Sequence, residues 1–457
     1  MNASSIIGFV VTLGILIVIH EYGHYSVARA CGVKVLRFSI GFGRVLWRHQ
    51  RTPDSTEFVL SVLPLGGYVK MLDEREGPVA PGELSQAFNR KPLWQRAAVV
   101  AAGPIANLLL AVLFYSAAHW IGVEEPRAVL ATPPAGSLAE RAGLRSGDTV
   151  SAVSRDGNEW DDVQSMNDLG WQLTQALLRS EKLQLMVADA RGHGPHAVTL
   201  DVDTLGTYDV TPQTLDRIGV SALSAAVLGP LTPGEAADKA GLRSGDRVLD
   251  IDGVPVPDAN RMLQLIRANG AGGESTAVPW RVQRGTQVVT LEVRPAVAVD
   301  GGGQRIGRIG AGIAASYEMV SVRYGPWGGM TQAVQRTWDS SVLTIRMLGR
   351  MLIGQASLKN LSGPITIADY AGKSIQLGPV YFLLFIAAVS VSLGVLNLLP
   401  LPILDGGHLM YYLFEAVTGQ PLSDVWLERL QRGGVAIMLL MMSLALYNDV
   451  ARQLGLH

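Results

Sequence analysis

Residues 6–24 read Ile6-Ile7-Gly8-Phe9-Val10-Val11-Thr12-Leu13-Gly14-Ile15-Leu16-Ile17-Val18-Ile19-His20-Glu21-Tyr22-Gly23-His24. An apolar run with no Asp, Glu, Lys or Arg before Glu21 ends in a His-Glu-x-x-His pattern. On a helix His20 and His24 are i and i+4, so both imidazoles project from one face and can share a metal. Glu21 lies one residue round from His20, where it can serve as general base toward a water at that metal. Three ionisable groups inside an apolar helix are costly unless they perform a function there. The combination implies hydrolysis within a membrane.

Composition agrees. Only 17% of residues are charged, below the roughly 25% usual for soluble domains, and mean hydropathy is +0.24. A net charge of −1 gives no support to a nucleic-acid partner. The single cysteine, Cys31, excludes an internal disulfide framework and a Cys-rich zinc site. Four segments approach the roughly 20 apolar residues that a bilayer requires: Ser5–Val27, Ala97–Trp120, Leu377–Leu399 and Gly433–Asn448. The fold class expected is therefore a polytopic α-helical membrane protein with about four transmembrane helices. The first segment has no basic stretch before it, and cleavage there would orphan the metal motif, so it reads as a retained span rather than a signal peptide.

Basic residues set the expected orientation. None precedes the first span, whereas eleven lie from Arg29 to Arg96. The positive-inside rule puts the N-terminus outside, residues 28–96 in the cytoplasm and roughly 121–376 in the extracytoplasmic space. The third span re-enters and the fourth leaves His457 outside. His20, Glu21 and His24 then fall toward the cytoplasmic end of the first span. The expected domains are a first span at 1–28, a cytoplasmic-side β-rich segment at 29–96 and a second span at 97–120. Two repeated domains follow at 121–215 and 216–296, then a linker and amphipathic helix at 297–376. The third span and its loop occupy 377–408, and a cytoplasmic loop with the fourth span occupies 409–457.

An internal repeat dominates the long loop. Ala142-Gly143-Leu144-Arg145-Ser146-Gly147-Asp148 recurs unchanged as Ala240-Gly241-Leu242-Arg243-Ser244-Gly245-Asp246. Each copy follows a small-residue helix start and leads into a strand-like run and an Asp-Gly turn, Asp156-Gly157 or Asp252-Gly253. The order resembles the bacterial PDZ domain, most clearly in the second copy, which continues into a helix near Asn260–Asn269 and strands at Val278–Gln283 and Gln287–Arg294. In the first copy the middle, Trp160–Ser180, has no clear pattern. PDZ folds bind extended peptides or C-termini by strand addition; occlusion of a site by bulk is the equal alternative. Residues Ala296–Arg308 read as a mobile Gly-rich linker. Gly328–Ile353 reads as an interfacial helix on the outer membrane surface, with Trp327, Met330, Val334, Trp338 and Leu343 toward lipid; a face buried against the two repeated domains is the near-equal alternative.

Two histidines do not complete a catalytic zinc site, which takes three protein ligands. The best third ligand lies in Asn397-Leu398-Leu399-Pro400-Leu401-Pro402-Ile403-Leu404-Asp405-Gly406-Gly407-His408. Pro400 and Pro402 break the third span, so Asp405 is expected to turn back toward the metal from a non-helical segment; His408 is its rival. Together the two motifs resemble the site-2 protease family of intramembrane zinc metalloproteases, and the tandem PDZ pattern resembles the branch of that family with two such domains between the second and third spans. Further matches are Gly41-Phe42-Gly43, Leu65-Gly66-Gly67-Tyr68-Val69-Lys70, Gly103-Pro104-Ile105-Ala106-Asn107 and Asn360-Leu361-Ser362-Gly363-Pro364-Ile365.

The resemblance implies that His20, His24 and Asp405 hold Zn2+ and that Glu21 is the acid/base residue. It implies single-span membrane protein substrates of the anti-sigma factor kind, cut after a prior extracytoplasmic cleavage, and remnant signal peptides. It also implies residence in a bacterial inner membrane. Asn397 is assigned to holding the substrate backbone and Asn107 to helix packing. A substrate helix must be unwound before attack, and its freed backbone groups need partners. The alternating segment Val33–Met71 reads as a small sheet whose edge, at Tyr68, Val69 and Lys70, can take the unwound strand. The competing reading is an inactive membrane PDZ scaffold or chaperone, which has no use for Glu21 beside both histidines and Asp405.

Overall fold

The computed structural model describes residues 3–189, 194–206, 211–300, 303–353, 363–420 and 422–454. The Asn360-Leu361-Ser362 part of the motif before the third span lies outside them.

In chain order the elements begin with α1 (Ala3–Ala30), β1 (Val35–His49), β2 (Glu57–Met71), α2 (Leu93–Ile121) and β3 (Val123–Pro126). The first repeat contributes α3 (Leu138–Arg141), β4 (Thr149–Ser154), β5 (Asp161–Asp162), α4 (Met166–Arg179), β6 (Leu183–Ala188), β7 (His196–Leu200) and α5 (Pro212–Ile218). The second contributes β8 (Leu228–Leu231), α6 (Ala236–Lys239), β9 (Arg247–Ile251), β10 (Val254–Pro255), α7 (Ala259–Ala268), β11 (Val278–Arg284) and β12 (Gln287–Val293). There follow β13 (Ala296–Val299), β14 (Arg305–Arg308), β15 (Ala311–Ile313), β16 (Met319–Val322) and α8 (Pro326–Leu352). The chain ends with α9 (Pro364–Leu377), α10 (Pro379–Asn397), α11 (Asp405–Thr418) and α12 (Asp424–Gln453). These form two compact units, Met1–Val123 with Arg323–His457, and Glu124–Val322.

In the first unit, Ala3–Ala30, Leu93–Ile121, Pro379–Asn397 and Val425–Arg452 are long and apolar enough to cross a membrane. The fourth is longer than the expected 433–448. Its polar first turns continue the helix, with Arg432 and Glu428 paired one turn apart at 2.5 Å, which a hydropathy pattern does not register. Small residues bring the helices together. A Cβ on Gly23 would lie 2.3 Å from the Ala102 carbonyl oxygen, and one on Gly394 would lie 3.0 Å from that of Pro104. Both α1 and α10 therefore approach α2 backbone to backbone, the packing mode of helices that gain no hydrophobic drive from lipid. The expected surface position of α8 is corrected: it packs along α2 and α10, with Ala333 buried among Ala111, Tyr115, Ala387 and Val391. Gly329, whose missing side chain makes room for Trp120, and Ala333 permit that approach. Trp327, Met330, Val334 and Trp338 remain exposed.

A cap fixes α9. Its N-terminal residue Gly363 has no side chain to offer, and the carboxylate of Asp449 on α12 takes that role. Asp449 accepts from the backbone N–H groups of Gly363, Ile365 and Thr366 at 3.0, 2.9 and 3.1 Å and from the Thr366 hydroxyl at 2.6 Å. It thus satisfies donors that every helix N-terminus leaves open.

The second unit is built on the repeat. Its two four-stranded sheets have corresponding orders, β5-β4-β6-β7 and β10-β9-β11-β12. The repeated heptapeptide makes the same turn twice: Arg145 N–H donates to Asp148 Oδ2 and Arg243 N–H to Asp246 Oδ2, both at 2.8 Å. Gly147 and Gly245 adopt φ of +89° and +91°, so the turn requires glycine there. Each copy has its own apolar core, around Leu169, Leu177 and Leu185 in the first and around Met262, Trp280 and Val282 in the second. The patternless middle of the first copy folds as β5 and α4, the helix capped by Ser165. The expected mobile linker is also corrected. Ala296–Val299 and Arg305–Arg308 pair as an antiparallel ladder, and β15 pairs with β8, so the second copy continues past residue 296. Alternation of Val297, Val299 and Ile306 in a hydrogen-bonded hairpin outweighs the glycines between them.

Candidate metal centre

His20 and His24 project from α1, whose Gly23 lets the backbone of α2 come close at Ala102. Asp405 is the first residue of α11. The expectation that it sits on non-helical backbone is corrected: the prolines end α10, and a new helix starts at the aspartate itself. Gly406 and Gly407 explain that seat. A Cβ on Gly406 would lie 2.1 Å from the Leu399 carbonyl oxygen, and one on Gly407 would lie 2.3 Å from that of Leu401. The far end of α11 is tied to α2 by Arg96, whose Nη2 and Nη1 donate to Glu415 at 2.5 and 3.2 Å and whose guanidinium lies 5.0 Å from the Tyr412 ring centre.

These elements converge on one triangle. His20 Nε2 lies 3.2 Å from Asp405 Oδ2, His24 Nε2 lies 3.6 Å from the same oxygen, and the two Nε2 atoms are 3.2 Å apart. Ligands about 2.0 Å from a tetrahedral zinc are separated by about 3.3 Å. The three edges match that value, so the donor set fits zinc. The hydrogen bonds behind the triangle point the same way. His24 Nδ1 donates to the Val99 carbonyl at 2.8 Å, which in the neutral ring selects the tautomer whose Nε2 lone pair is aimed at the carboxylate. In that neutral form a cation between the lone pair and the carboxylate oxygen turns their repulsion into attraction.

Glu21 is buried, 9% exposed, and lies within electrostatic reach of His24, His20 and Asp405. Gly67 of β2 covers it: a Cβ there would sit 2.8 Å from Glu21 Cγ. The sheet that carries Gly67 is folded back on itself. Val35–Ile40 runs antiparallel to Gly67–Met71, Val45–His49 runs antiparallel to Phe58–Ser61, and Arg37–Ile40 also registers with Glu57–Leu60. Residues 67–71 therefore form an outer edge, with no second main-chain partner among the described residues. Along it, the Tyr68 hydroxyl accepts from Arg37 at 3.3 Å, Val69 packs against the cluster of Ala28, Val33 and Val99, and Lys70 pairs with Glu76 at 3.6 Å.

Asn397 closes α10, half-buried. His408, the rival ligand, is outside the triangle, its ring packed edge-on against Tyr411. The sequence reading missed three supports, all on one face of α2: the Val99 carbonyl, Gly103 and the side chain of Asn107. A Cβ on Gly103 would lie 2.3 Å from His24 Nε2 and 2.9 Å from His20 Cε1. Asn107, expected to serve packing, is fully buried and also lies with Nδ2 3.2 Å from His20 Nδ1. Its spacing from Val99 and Gly103, at i, i+4 and i+8, was the available signal.

A metal triangle of two helix-borne histidines and a distant aspartate, with a carboxylate alongside and all of it set among apolar helices, defines a membrane zinc peptidase. The profile of peptidase family M50 matches residues 8–441. A Ralstonia nicotianae protein provisionally named a zinc metalloprotease, RSc1411, is 41% identical over 466 residues, covering 99% of each chain. Regulator of sigma-E protease RseP of Escherichia coli is 40% identical over 461 residues, covering 97% of this chain and 98% of its own. Protease RseP of Yersinia pestis is 38% identical over 462 residues, with 98% of each covered. The chain belongs to peptidase family M50, the site-2 proteases. It is a multi-pass membrane zinc metalloprotease of regulated intramembrane proteolysis.

Proposed function

We propose that this enzyme cuts within the transmembrane segment of a single-span protein of the anti-sigma factor kind, after another protease has removed the extracytoplasmic part. Remnant signal peptides are a second substrate class. The observation that carries the reading is the meeting, inside apolar helices, of the His20–His24–Asp405 triangle, Glu21 and an open strand edge at Gly67–Met71. In this reading His20, His24 and Asp405 are the zinc ligands. When bound, zinc supplies Lewis-acid polarisation of a peptide carbonyl and acidifies water. Glu21 takes the proton of the attacking water and delivers it to the leaving amine nitrogen. The Val99 carbonyl holds the His24 ring in its ligating tautomer. The edge at Tyr68, Val69 and Lys70 receives the unwound substrate as an added strand, with Asn397 hydrogen-bonding its backbone from the other side.

The membrane is a bacterial inner membrane. The eleven basic residues from Arg29 to Arg96 favour the cytoplasmic side for the β1–β2 sheet and the metal site, and the extracytoplasmic side for Glu124–Val322. The two modules of that unit are PDZ domains, a reading supported by their common sheet order and turn. The second has an open groove of about 360 Å³ between Met262, Leu263, Ile266 and Arg267 on α7 and the segment Ile306–Ile313, suited to a peptide end. In the first, Val202 and Leu205 pack into the same core as Leu169 and Leu173 of α4.

The test is proteolysis in reconstituted vesicles by the purified chain on a model single-span substrate. Glu21→Gln is expected to lose about 10²–10⁴ of the rate while retaining zinc. Equal cleavage by both forms would overturn the assignment. Proline placed singly at positions 68 to 70 is expected to slow cleavage without loss of zinc; unchanged rates along that scan would remove the strand-addition step.

A further inference from the structure

We propose that Asn107 is a positioning residue of the metal centre, its side-chain amide selecting the ring tautomer with which His20 binds zinc. The inference rests on His20 being a ligand. Asn107 is fully buried on α2, with its backbone carbonyl accepting from the Ser390 hydroxyl at 2.7 Å, so its place is fixed by α10. Its Nδ2 is 3.2 Å from His20 Nδ1, and its Oδ1 is buried with no hydrogen-bond partner. An amide left half-satisfied at zero exposure costs about 1–3 kcal/mol and calls for an explanation.

The explanation lies in matching donors to acceptors. His20 Nε2 forms one corner of the triangle with His24 and Asp405. To ligate, Nε2 must present a lone pair, which puts the ring proton on Nδ1. A protonated Nδ1 facing an amide NH₂ at 3.2 Å would set two donors against each other. Turning the amide about its Cβ–Cγ axis exchanges the near-isosteric oxygen and nitrogen. Oδ1 then accepts from His20 Nδ1, and the ring is held in the ligating form. The two amide orientations and the two tautomers are matched pairs: Nδ2 toward a bare Nδ1 in one, Oδ1 toward Nδ1–H in the other. His24 needs no such choice, because the Val99 carbonyl can only accept. One face of α2, which supplies no ligand, therefore orients both imidazoles of α1. An acceptor behind a ligating histidine commonly contributes about 10–100-fold to metal affinity.

The test uses the full-length chain, purified in detergent and stripped of metal, with Zn2+ affinity read by competition with a chromophoric chelator and thermal midpoints recorded for the metal-free forms. Asn107→Leu, which keeps the branched shape and removes the acceptor, is expected to bind zinc about 10–100-fold more weakly with an unchanged metal-free midpoint. Asn107→Asp, which offers only acceptors, is expected to bind zinc as tightly as the native chain. Native affinity in Asn107→Leu would reduce the residue to packing and overturn the proposal. So would a folded Asn107→Asp that loses as much affinity as the leucine variant. Should the leucine variant not fold, the aspartate variant decides alone. Native affinity in a folded His20→Ala would instead fail the ligand assignment beneath the proposal.

Discussion

Two aspartates stand on neighbouring helical elements of the same unit, and their surroundings are opposite. Asp449, 1% exposed, is encircled by donors: three backbone N–H groups and one hydroxyl, all at the start of α9. Asp405 faces the Nε2 atoms of two imidazoles, at 3.2 and 3.6 Å, and no backbone N–H among the described residues. The first carboxylate is satisfied by the fold and explains where a helix begins. The second faces only groups that can themselves ligate a metal, and so points to function. A buried charge among the membrane helices is thus not enough to mark a site; what marks it is a surround of further metal-ligating side chains in place of helix-end N–H groups.

That contrast is open to attack at several points. The largest effect is expected from exchanging the two roles. Asp405→Asn should weaken zinc binding by at least about 100-fold and leave the metal-free thermal midpoint nearly unchanged, because asparagine keeps the shape at the start of α11 and no side-chain cap bond is lost there. Asp449→Ala should do the reverse, lowering stability by about 3 kcal/mol while the folded fraction binds zinc normally. Zinc competition and thermal melts on the two variants, run side by side, measure both. If Asp449→Ala lost zinc as severely as Asp405→Asn, the separation of structural from functional carboxylate would collapse.

A smaller effect is expected at Gly103, where an added methyl would overlap His24 Nε2 at 2.3 Å. Gly103→Ala should push that ring out of the triangle and weaken zinc binding by about 10-fold. Unchanged affinity would mean that α2 does not gauge the histidines.

The smallest effect sharpens the comparison in the second unit, where Asp246 is another satisfied carboxylate. Burial there raises its pKa, but the Arg284 fork at 2.8 and 2.7 Å and the Arg243 N–H outweigh it and hold the carboxyl below its ordinary range. A depressed folded pKa contributes stability that is full above the unfolded value of about 3.9 and is lost as pH falls through the folded one. Thermal midpoints of the native chain should therefore drop as pH falls below about 4, and Asp246→Asn should flatten that drop while costing about 2 kcal/mol at neutral pH. Parallel pH dependence in the two forms would exclude Asp246 as the source.

Much of this was readable from the chain. His20, Glu21 and His24 follow from helical spacing within an apolar run, and Asp405 from an acidic residue stranded after a proline-broken span. The repeat announced two similar modules because the Ala-Gly-Leu-Arg-Ser-Gly-Asp turn has one geometry. The supports were harder to read, for physical reasons. The Val99 carbonyl is a backbone group, which no residue type signals. Gly103 and Asn107 look like ordinary small and polar packing residues until the α1 rings are placed against them. Asp449 caps a helix more than eighty residues earlier, a partnership that only tertiary structure can form. Ala296–Arg308 looked mobile by composition, yet Ala296–Val299 and Arg305–Arg308 within it are paired along a ladder.

The central claim is that two histidines of α1 and the first residue of α11 hold one zinc. X-ray absorption at the zinc edge of the purified chain tests it most directly. The account predicts one zinc per chain with two imidazole nitrogens and light oxygen donors at about 2.0 Å, and a changed first shell with lowered occupancy in Asp405→Asn. A zinc whose coordination is the same in Asp405→Asn as in the native chain would contradict it.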